Sequence, residues 1–162
     1  MPITKVDLYF SLGSNQGDRQ ANIRTALTAL NRSYGRYKAL SDIIETEPVG
    51  FESPNPFLNC CVRYELRPRF DDPLQECLRI MKRIKTIEAE LGRNLDIEFT
   101  PSGRRIYHDR PIDIDILFLG SYRGSDSLVT VPHPRIAERD FVLIPLRQIA
   151  TPSLRRLFPE YF

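Results

Sequence analysis

The chain has 162 residues, of which 41% are hydrophobic and 27% charged, and its formal net charge is +2. This length and composition are typical of a folded globular domain and exclude a chain that is disordered throughout. A charge so near zero argues against bulk electrostatic binding to nucleic acid, and no apolar run approaches the ~20 residues that cross a bilayer.

Apolar periodicity predicts the secondary structure, since alternation indicates strands and spacings of three and four indicate helices. The predicted elements are, in chain order, a strand at 6–13, a helix from 18 to 35, strands at 39–46 and 57–66, a helix from 72 to 92, strands at 112–119 and 128–131, a short helix at 136–140, and an apolar segment at 141–149 that fits a strand end or a helix. The order strand-helix-strand-strand-helix-strand is the ferredoxin-like pattern. We therefore expect one α+β domain over residues 1–162, with helices packed on the faces of an antiparallel sheet in three α/β/α layers.

The cysteines and the N-terminus indicate the compartment. Cys60, Cys61 and Cys77 are odd in number and form no C-x-x-C pair, so they predict neither a zinc site nor a disulfide framework. The N-terminal residues contain no long apolar stretch. A cytoplasmic location is the expectation.

Two carboxylates carry the strongest chemical signal. Asp113 and Asp115 lie two apart in a predicted strand, so they share a face with Cα atoms ~6–7 Å apart. Carboxylates so close repel each other unless a cation lies between them, and Mg²⁺ favours such oxygen ligands together with substrate phosphates. The alternative is a half-exposed strand whose acids face water, although aspartate is poorly suited to strands.

Basic residues surround this pair in the sequence. They include Arg93, Arg104, Arg105, Arg110, His133 and Arg139. Arginine forks bind phosphate oxygens well, which fits an anionic substrate beside a metal. For Lys82, Arg83 and Lys85, on the second long helix, solvated surface charge is the simpler interpretation.

A third group suits a flat aromatic ligand. Phe57 and Asn59 share one face of a predicted strand, and Phe141 is a further candidate ring. Rings that sandwich a ligand and an amide that both donates and accepts would fit a heteroaromatic amide. Ordinary core packing is the alternative for the two phenylalanines. No phosphate-binding loop, dinucleotide fingerprint or serine nucleophile elbow is present in the sequence.

These segments together resemble the 6-hydroxymethyl-7,8-dihydropterin pyrophosphokinase family. The resemblance rests on residues 11–15, 45–50, 57–59, 91–93, 110–117, 131–135 and 138–143, which include Asp-Ile-Asp at 113–115 and Pro-His-Pro at 132–134. It implies transfer of the β,γ-pyrophosphoryl group of ATP to the pterin hydroxymethyl oxygen, with release of AMP, in folate biosynthesis. It also implies two Mg²⁺ ions that bridge carboxylates and triphosphate.

The resemblance assigns roles to residues of this chain. Asp113 and Asp115 would bind the metal and act in catalysis with Arg110, and Asp113 would help activate the attacking hydroxyl. The pterin-binding positions would be Thr46, Val49, Phe57, Asn59, Tyr107 and Phe141. The nucleotide-binding positions would be Glu88, Arg93, Arg110, Ile116, Thr130, His133 and Arg139.

One departure from the family pattern concerns the segment 93–110. It is longer than in compact family members, and Leu95 stands where an arginine is frequent, so the loop arginine is either missing or replaced by Arg104 or Arg105. Structureless segments of this length are usually functional lids or disordered.

Two other classes compete with this interpretation. Another Mg²⁺-dependent Asp-x-Asp phosphotransferase or nucleotidyltransferase would lack the Phe57, Asn59 and Phe141 set. A ferredoxin-like RNA-binding module would carry a strong positive charge, which this chain lacks. The expected partners are ATP and the pterin, without nucleic acid or membrane, and the expected state is a monomer.

Overall fold

The computed structural model describes residues 4–94 and 96–162, so Leu95 lies outside the described residues. The strands are β1 (Val6–Ser14), β2 (Ala39–Leu40), β3 (Ile44–Thr46), β4 (Phe57–Leu66), β5 (Glu98–Phe99), β6 (Arg105–Ile106), β7 (Asp113–Leu119), β8 (Gly124–Ser125) and β9 (Thr130–Val131). The α-helices are α1 (Arg19–Tyr34), α2 (Pro73–Glu90), α3 (Asp140–Ile149) and α4 (Pro152–Leu157), and Ile136–Glu138 and Pro159–Tyr161 form 3₁₀ turns.

The main sheet is antiparallel, with strand order β2–β4–β1–β7 and β3 also paired with β4. With β2 and β3 counted as one interrupted strand, this is the strand order of the ferredoxin-like fold. The predicted fold class is confirmed. The register places Gly13 of β1 opposite Asn59 of β4 on one side and opposite Asp113 of β7 on the other.

Helices cover both faces of the sheet and give the three expected layers. On one face, Ile23 and Leu30 of α1 and Ile84 of α2 pack with Phe10 and Leu12 of β1. On the other face, a second core joins Tyr9, Cys61 and Phe118 to residues of α3 and α4, which are Val142, Leu143, Leu146, Ile149 and Leu154. Alternate residues of each strand therefore serve different layers.

Local sequence signals set the ends of the two long helices. Asp18 accepts a hydrogen bond from the Ala21 amide at 3.0 Å, and Asp72 accepts one from the Leu74 amide at 3.0 Å. Pro73 follows in the first turn, where its missing N–H costs nothing. Both helix starts agree with the sequence prediction.

Two predicted strands differ from the structure. The strand expected at 39–46 is broken into β2 and β3, because the Ser41 hydroxyl takes the place of a backbone acceptor and receives the Cys61 amide at 2.8 Å. The strand expected at 128–131 shrinks to β9, since a turn in which the Asp126 amide donates to the Val129 carbonyl occupies its first half. β9 pairs with β8 outside the main sheet.

In other segments the structure decides between predicted alternatives or contains elements that were not predicted. The apolar segment at 141–149 is helix α3, and the short helix expected at 136–140 is a 3₁₀ turn. The segment 93–110 carries the small hairpin β5–β6, and α4 follows α3 without having been predicted. Within the described residues no helix is long and apolar enough to cross a membrane. All three cysteines are free and buried.

Candidate active site

The two aspartates of β7 face the same side of the sheet as α3. Ile114 and Ile116 point into the opposite core, and the side chains of Asp113 and Asp115 remain 26% and 28% exposed. Both line an open cleft at one end of the sheet. The predicted shared face is therefore present, and it opens to ligands.

Asp113 is held by two arginines. Arg93 donates to its Oδ1 at 2.8 Å, and Arg110 donates to its Oδ2 at 3.4 Å. Burial raises the pKa of the Asp113 carboxyl, but the two guanidinium groups outweigh burial and bring the pKa below its usual value. Asp113 is therefore ionised at neutral pH.

The Asp115 carboxyl has weaker contacts with cationic side chains than Asp113 has. Its closest cationic neighbour is Arg139, whose Nη1 lies 3.8 Å from Oδ2, beyond hydrogen-bond distance. Burial and the charge of Asp113 raise the pKa of the Asp115 carboxyl. The ionised form of Asp115 is thus disfavoured in the free protein, and a bound cation would stabilise it.

His133 approaches Asp115 as a neutral ring. Its Nε2 lies 3.8 Å from Asp115 Oδ1, and its Nδ1 accepts the Arg135 amide at 3.2 Å, which places the ring proton on Nε2. Burial and nearby Arg139 lower the pKa of His133 to about 4. The imidazole therefore presents an N–H towards Asp115 without adding positive charge at neutral pH.

The donor set fits Mg²⁺ better than a metal that needs an all-protein cage. Among the described residues there is no group of three or more histidine, cysteine or acidic side chains arranged to hold an ion. Mg²⁺ commonly takes one or two carboxylates and completes its shell with water and substrate phosphates. Asp113 and Asp115 on an open cleft meet that requirement.

The structure brings the predicted pterin positions into the cleft that holds the carboxylates. Those positions are Thr46, Val49, Phe57, Asn59, Tyr107 and Phe141. Asn59, which is 4% exposed, donates from Nδ2 to Thr46 Oγ1 at 2.7 Å, and this bond fixes the orientation of its amide. Phe141 also packs at the edge of the second core.

The floor of this cleft has no side chain at Gly13. A Cβ built there would lie 3.1 Å from Asn59 Oδ1 and 3.4 Å from Phe57 Cδ1. Since Gly13 is opposite both Asn59 and Asp113, its hydrogen leaves open the space between the amide and the carboxylate pair. Between Asn59 and Asp113 the cleft therefore has no side chain from β1, and the Arg110 guanidinium lies beside this space, 5.6 Å from the centroid of the Phe57 ring.

The predicted nucleotide positions are distributed around the carboxylates. Ile116, Thr130 and His133 line a second cavity that shares Asp115 with the first. Arg110 and Arg139 line the first cleft, and Arg93 lines a polar cavity under the segment 93–110. Arg105, but not Arg104, also lines that polar cavity.

Glu88 has a different position from the other predicted nucleotide residues. It is fully buried, forms an ion pair with Arg93, and accepts the Ile114 amide at 3.0 Å. Its carboxylate is therefore enclosed by protein groups. Any effect of Glu88 on a nucleotide passes through Arg93 and through the start of β7.

Sequence reasoning missed several cleft residues. They are Ser11, Leu12, Gly13, Glu47, Phe51, Arg135 and Glu138. For Ser11 and Gly13 a signal existed, because the apolar alternation of β1 puts both on the face opposite Phe10 and Leu12. The Phe51 ring packs edge-on against the Phe57 ring, with 6.3 Å between the ring centroids. No local sequence pattern predicts this contact.

Two cavities that meet at Asp115 fit an enzyme that brings two substrates together, and comparison with known proteins identifies the class. The family model for 7,8-dihydro-6-hydroxymethylpterin-pyrophosphokinase matches residues 9–151. A Porphyromonas gingivalis protein named 2-amino-4-hydroxy-6-hydroxymethyldihydropteridine pyrophosphokinase is 46% identical over 146 residues, which cover 88% of this chain and 90% of that one. The Bacillus subtilis protein of the same name is 34% identical, over 87% of this chain and 76% of its own length.

Solved structures agree on the fold. A crystal structure of HPPK-DHPS in complex with substrates aligns with a TM-score of 0.60 and 16% identity, over 98% of this chain and 44% of that chain. Wild-type Plasmodium falciparum HPPK-DHPS aligns with a TM-score of 0.58 and 13% identity, over 98% of this chain and 41% of that chain. The chain spans less than half of these two-part proteins. From the family match and its relatives, the chain belongs to the 7,8-dihydro-6-hydroxymethylpterin-pyrophosphokinase family.

Glu88, the buried partner of Arg93, should contribute strongly to the free energy of unfolding. Replacing Glu88 with alanine leaves the Ile114 amide and the Arg93 guanidinium without their buried acceptor, so we expect the free energy of unfolding to fall by about 3–5 kcal/mol. Urea denaturation measures this. Glu90→Ala, at an exposed position of the same helix, should change it by less than about 0.5 kcal/mol. A loss below about 1 kcal/mol for Glu88→Ala would contradict the assigned role.

Proposed function

We propose that the chain transfers the β,γ-pyrophosphoryl group of ATP to the hydroxymethyl oxygen of 6-hydroxymethyl-7,8-dihydropterin, with release of AMP, in folate biosynthesis. The single observation that carries the proposal is the cleft in which Phe57 and Asn59 lie on the same face as Asp113 and Asp115. Membership of the pyrophosphokinase family supports the same reaction.

The pterin binds over the floor at Gly13. Phe57 and Phe141 offer rings for stacking, and Asn59 has an amide oxygen and one N–H that remain after its bond to Thr46. Val49 and Tyr107 complete the wall. Held in this way, the ring directs its hydroxymethyl group towards Asp113.

The nucleotide binds from the other side of Asp115. Ile116, Thr130 and His133 line the cavity for its nucleoside part, and Arg93, Arg110 and Arg139 offset the charge of its phosphates. Of the two loop arginines, we assign Arg105 to the triphosphate because it lines the polar cavity beside Arg93.

Asp113 and Asp115 would hold Mg²⁺, and we expect two ions. When bound, the metal would supply positive charge that offsets the charge of the triphosphate. Arg93 and Arg110, which donate to the ionised Asp113, would orient the phosphate tail relative to the pterin. His133 contributes a neutral N–H at Asp115.

The transfer itself consists of one displacement at phosphorus and one proton transfer. The hydroxymethyl oxygen attacks the β-phosphorus, the bond between that phosphorus and the oxygen bridging to the α-phosphate breaks, and AMP leaves with that oxygen. We assign Asp113 to accept the hydroxyl proton, because it lies in the same cross-strand row as Asn59. Positioning of the two substrates and arginine charge supply most of the rate enhancement.

Several expectations extend beyond this reaction. A single domain over residues 1–162, a monomeric state, a cytoplasmic location, and the absence of nucleic-acid and membrane partners stay predictions. The small net charge supports the expectation about nucleic acid. Closure of segment 93–110 over the substrates is likewise a prediction.

The reaction products test the proposed function directly. Incubated with ATP, Mg²⁺ and the pterin, the protein should form AMP and the pterin diphosphate in equal amounts, and Asp115→Asn should lower the rate by at least ~100-fold, since removal of one charge-stabilising group costs about that much. Anion-exchange chromatography separates the products. Formation of ADP would indicate phosphoryl transfer, and pyrophosphate would indicate nucleotidyl transfer, so either would refute the proposal.

The pterin pocket makes a separate prediction. Asn59→Ala removes a buried amide that faces the ligand, so the Kd for the pterin should rise ~10–100-fold while that for an ATP analogue stays within about twofold. Titration calorimetry measures both constants. Gln75→Ala, an amide lost from an exposed position of α2, is the matched control. Equal weakening of both ligands would place Asn59 outside the pterin site.

A further inference from the structure

Asp109 lies where three separate segments of the chain meet. These are the loop after β1, which contains Asn15, the loop 47–56, which contains Asn55, and the residues that lead into β7. The Asn15 amide donates to Asp109 Oδ1 at 2.7 Å, and the Asn55 amide donates to Asp109 Oδ2 at 2.6 Å. We refer to Asn15, Asn55 and Asp109 as the Asp109 junction.

The chemistry of the junction requires an acceptor at position 109. Both partners present NH₂ groups, and only an ionised carboxylate accepts at both of its oxygens without offering a donor. Hydrogen bonds from Ser53, Asn55 and Asn15 keep the pKa of Asp109 below its usual value. An amide at this position would turn its own NH₂ group towards one of the two donors.

Asn15 connects the junction to Arg110. It is 2% exposed, its Oδ1 accepts the Arg110 amide at 2.7 Å, and its backbone N–H donates to the Arg110 carbonyl at 3.1 Å. The backbone of Arg110 is therefore held on both sides by one residue. The side chain of Arg110 in turn reaches Asp113.

Asn55 connects the junction to the wall of the pterin cleft. It lies two residues before Phe57, and its loop also supplies Val49 and Phe51 to the cleft. Its backbone carbonyl accepts a second bond from the Asn15 amide at 3.2 Å. The loop 47–56, which supplies part of the cleft wall, is thus attached to a carboxylate that itself does not line the cleft.

We propose that Asp109 is a positioning residue that fastens the loop 47–56 to the segment carrying Arg110, and so fixes the distance between the pterin wall and the arginine. Asp109 acts through Asn55 and Asn15: although it borders the polar cavity that also contains Arg93 and Arg105, both of its carboxylate oxygens already accept hydrogen bonds from these two amides. Its effect on pterin binding rests on the proposed function, whereas its effect on the loop does not.

A single substitution measures the size of the effect. Asp109→Asn loses one hydrogen bond to a charged acceptor, so the KM for the pterin should rise about tenfold, while the KM for ATP stays within about twofold. Asp71→Asn, which changes an exposed acid before α2, is the matched control and should behave as wild type. An unchanged KM for the pterin, or an equal rise for ATP, would overturn the proposal.

An exchange of the two partners separates positioning from general loss of structure. Asn55→Asp alone should be at least as impaired as Asp109→Asn, because two carboxylates would face each other. In the double variant Asn55→Asp/Asp109→Asn the new amide can donate to the new carboxylate and still accept from Asn15. The KM for the pterin should then return to within about threefold of wild type, since both hydrogen bonds are restored. Additive losses would overturn the proposal.

Hydrogen exchange distinguishes failure of this proposal from failure of the proposed function. In the ligand-free protein, amides of residues 47–56 should exchange faster in Asp109→Asn than in wild type, and the double variant should reverse the change. Unchanged exchange overturns the fastening role, whatever the substrate. If the wild type releases no AMP but these exchange differences appear, the reaction assignment fails and the fastening role holds.

Discussion

The repulsion between two carboxylates on one strand is the constraint on which the site depends. Asp113 and Asp115 cannot turn away from each other, because the pleat of β7 directs both to the same face while Ile114 and Ile116 hold the other face in the core. The protein compensates only one of them fully, with Arg93 and Arg110 on Asp113. Asp115 has only a looser approach from Arg139, at 3.8 Å, so a divalent cation there would stabilise its carboxylate and offset the charge of a phosphate tail.

The sheet also sets the position of this carboxylate pair relative to the predicted pterin residues. Three neighbouring strands place Asn59, Gly13 and Asp113 in one row, so that an amide, an open floor and a carboxylate follow each other across the sheet. Helices α1 and α2 cover the other face, and α3 leaves this end of its own face open. Phe57 and Asn59 thus share one cleft with Asp113 and Asp115 because of strand register, although more than fifty residues separate the two pairs in sequence.

The strands and helices that follow from a regular spacing of apolar residues could be predicted from the sequence. Alternation in β4 and β7 was enough to place Phe57 with Asn59 and Asp113 with Asp115, and the caps at Asp18 and Asp72 marked both long helices. Contacts over long separations could not be read in this way. The Ser41 hydroxyl interrupts a strand because it accepts a hydrogen bond from the Cys61 amide. Glu88 of α2 forms an ion pair with Arg93 and accepts a hydrogen bond from the Ile114 amide. Asn15 donates a hydrogen bond to Asp109, which lies 94 positions away in the sequence. The motif resemblance supplied the roles, and periodicity alone would have left the phenylalanines as core residues.

The most direct test of the carboxylate pair is the effect of Mg²⁺ on nucleotide affinity. Titration calorimetry with a non-hydrolysable ATP analogue, in Mg²⁺ and in a chelator, compares wild type with Asp115→Asn, and Asp71→Asn is the control. If the pair holds the cation, Mg²⁺ should tighten binding of the analogue in wild type and in the control, and this gain should disappear in Asp115→Asn. An equal gain from Mg²⁺ in all three proteins would show that the cation is bound elsewhere and would contradict the account.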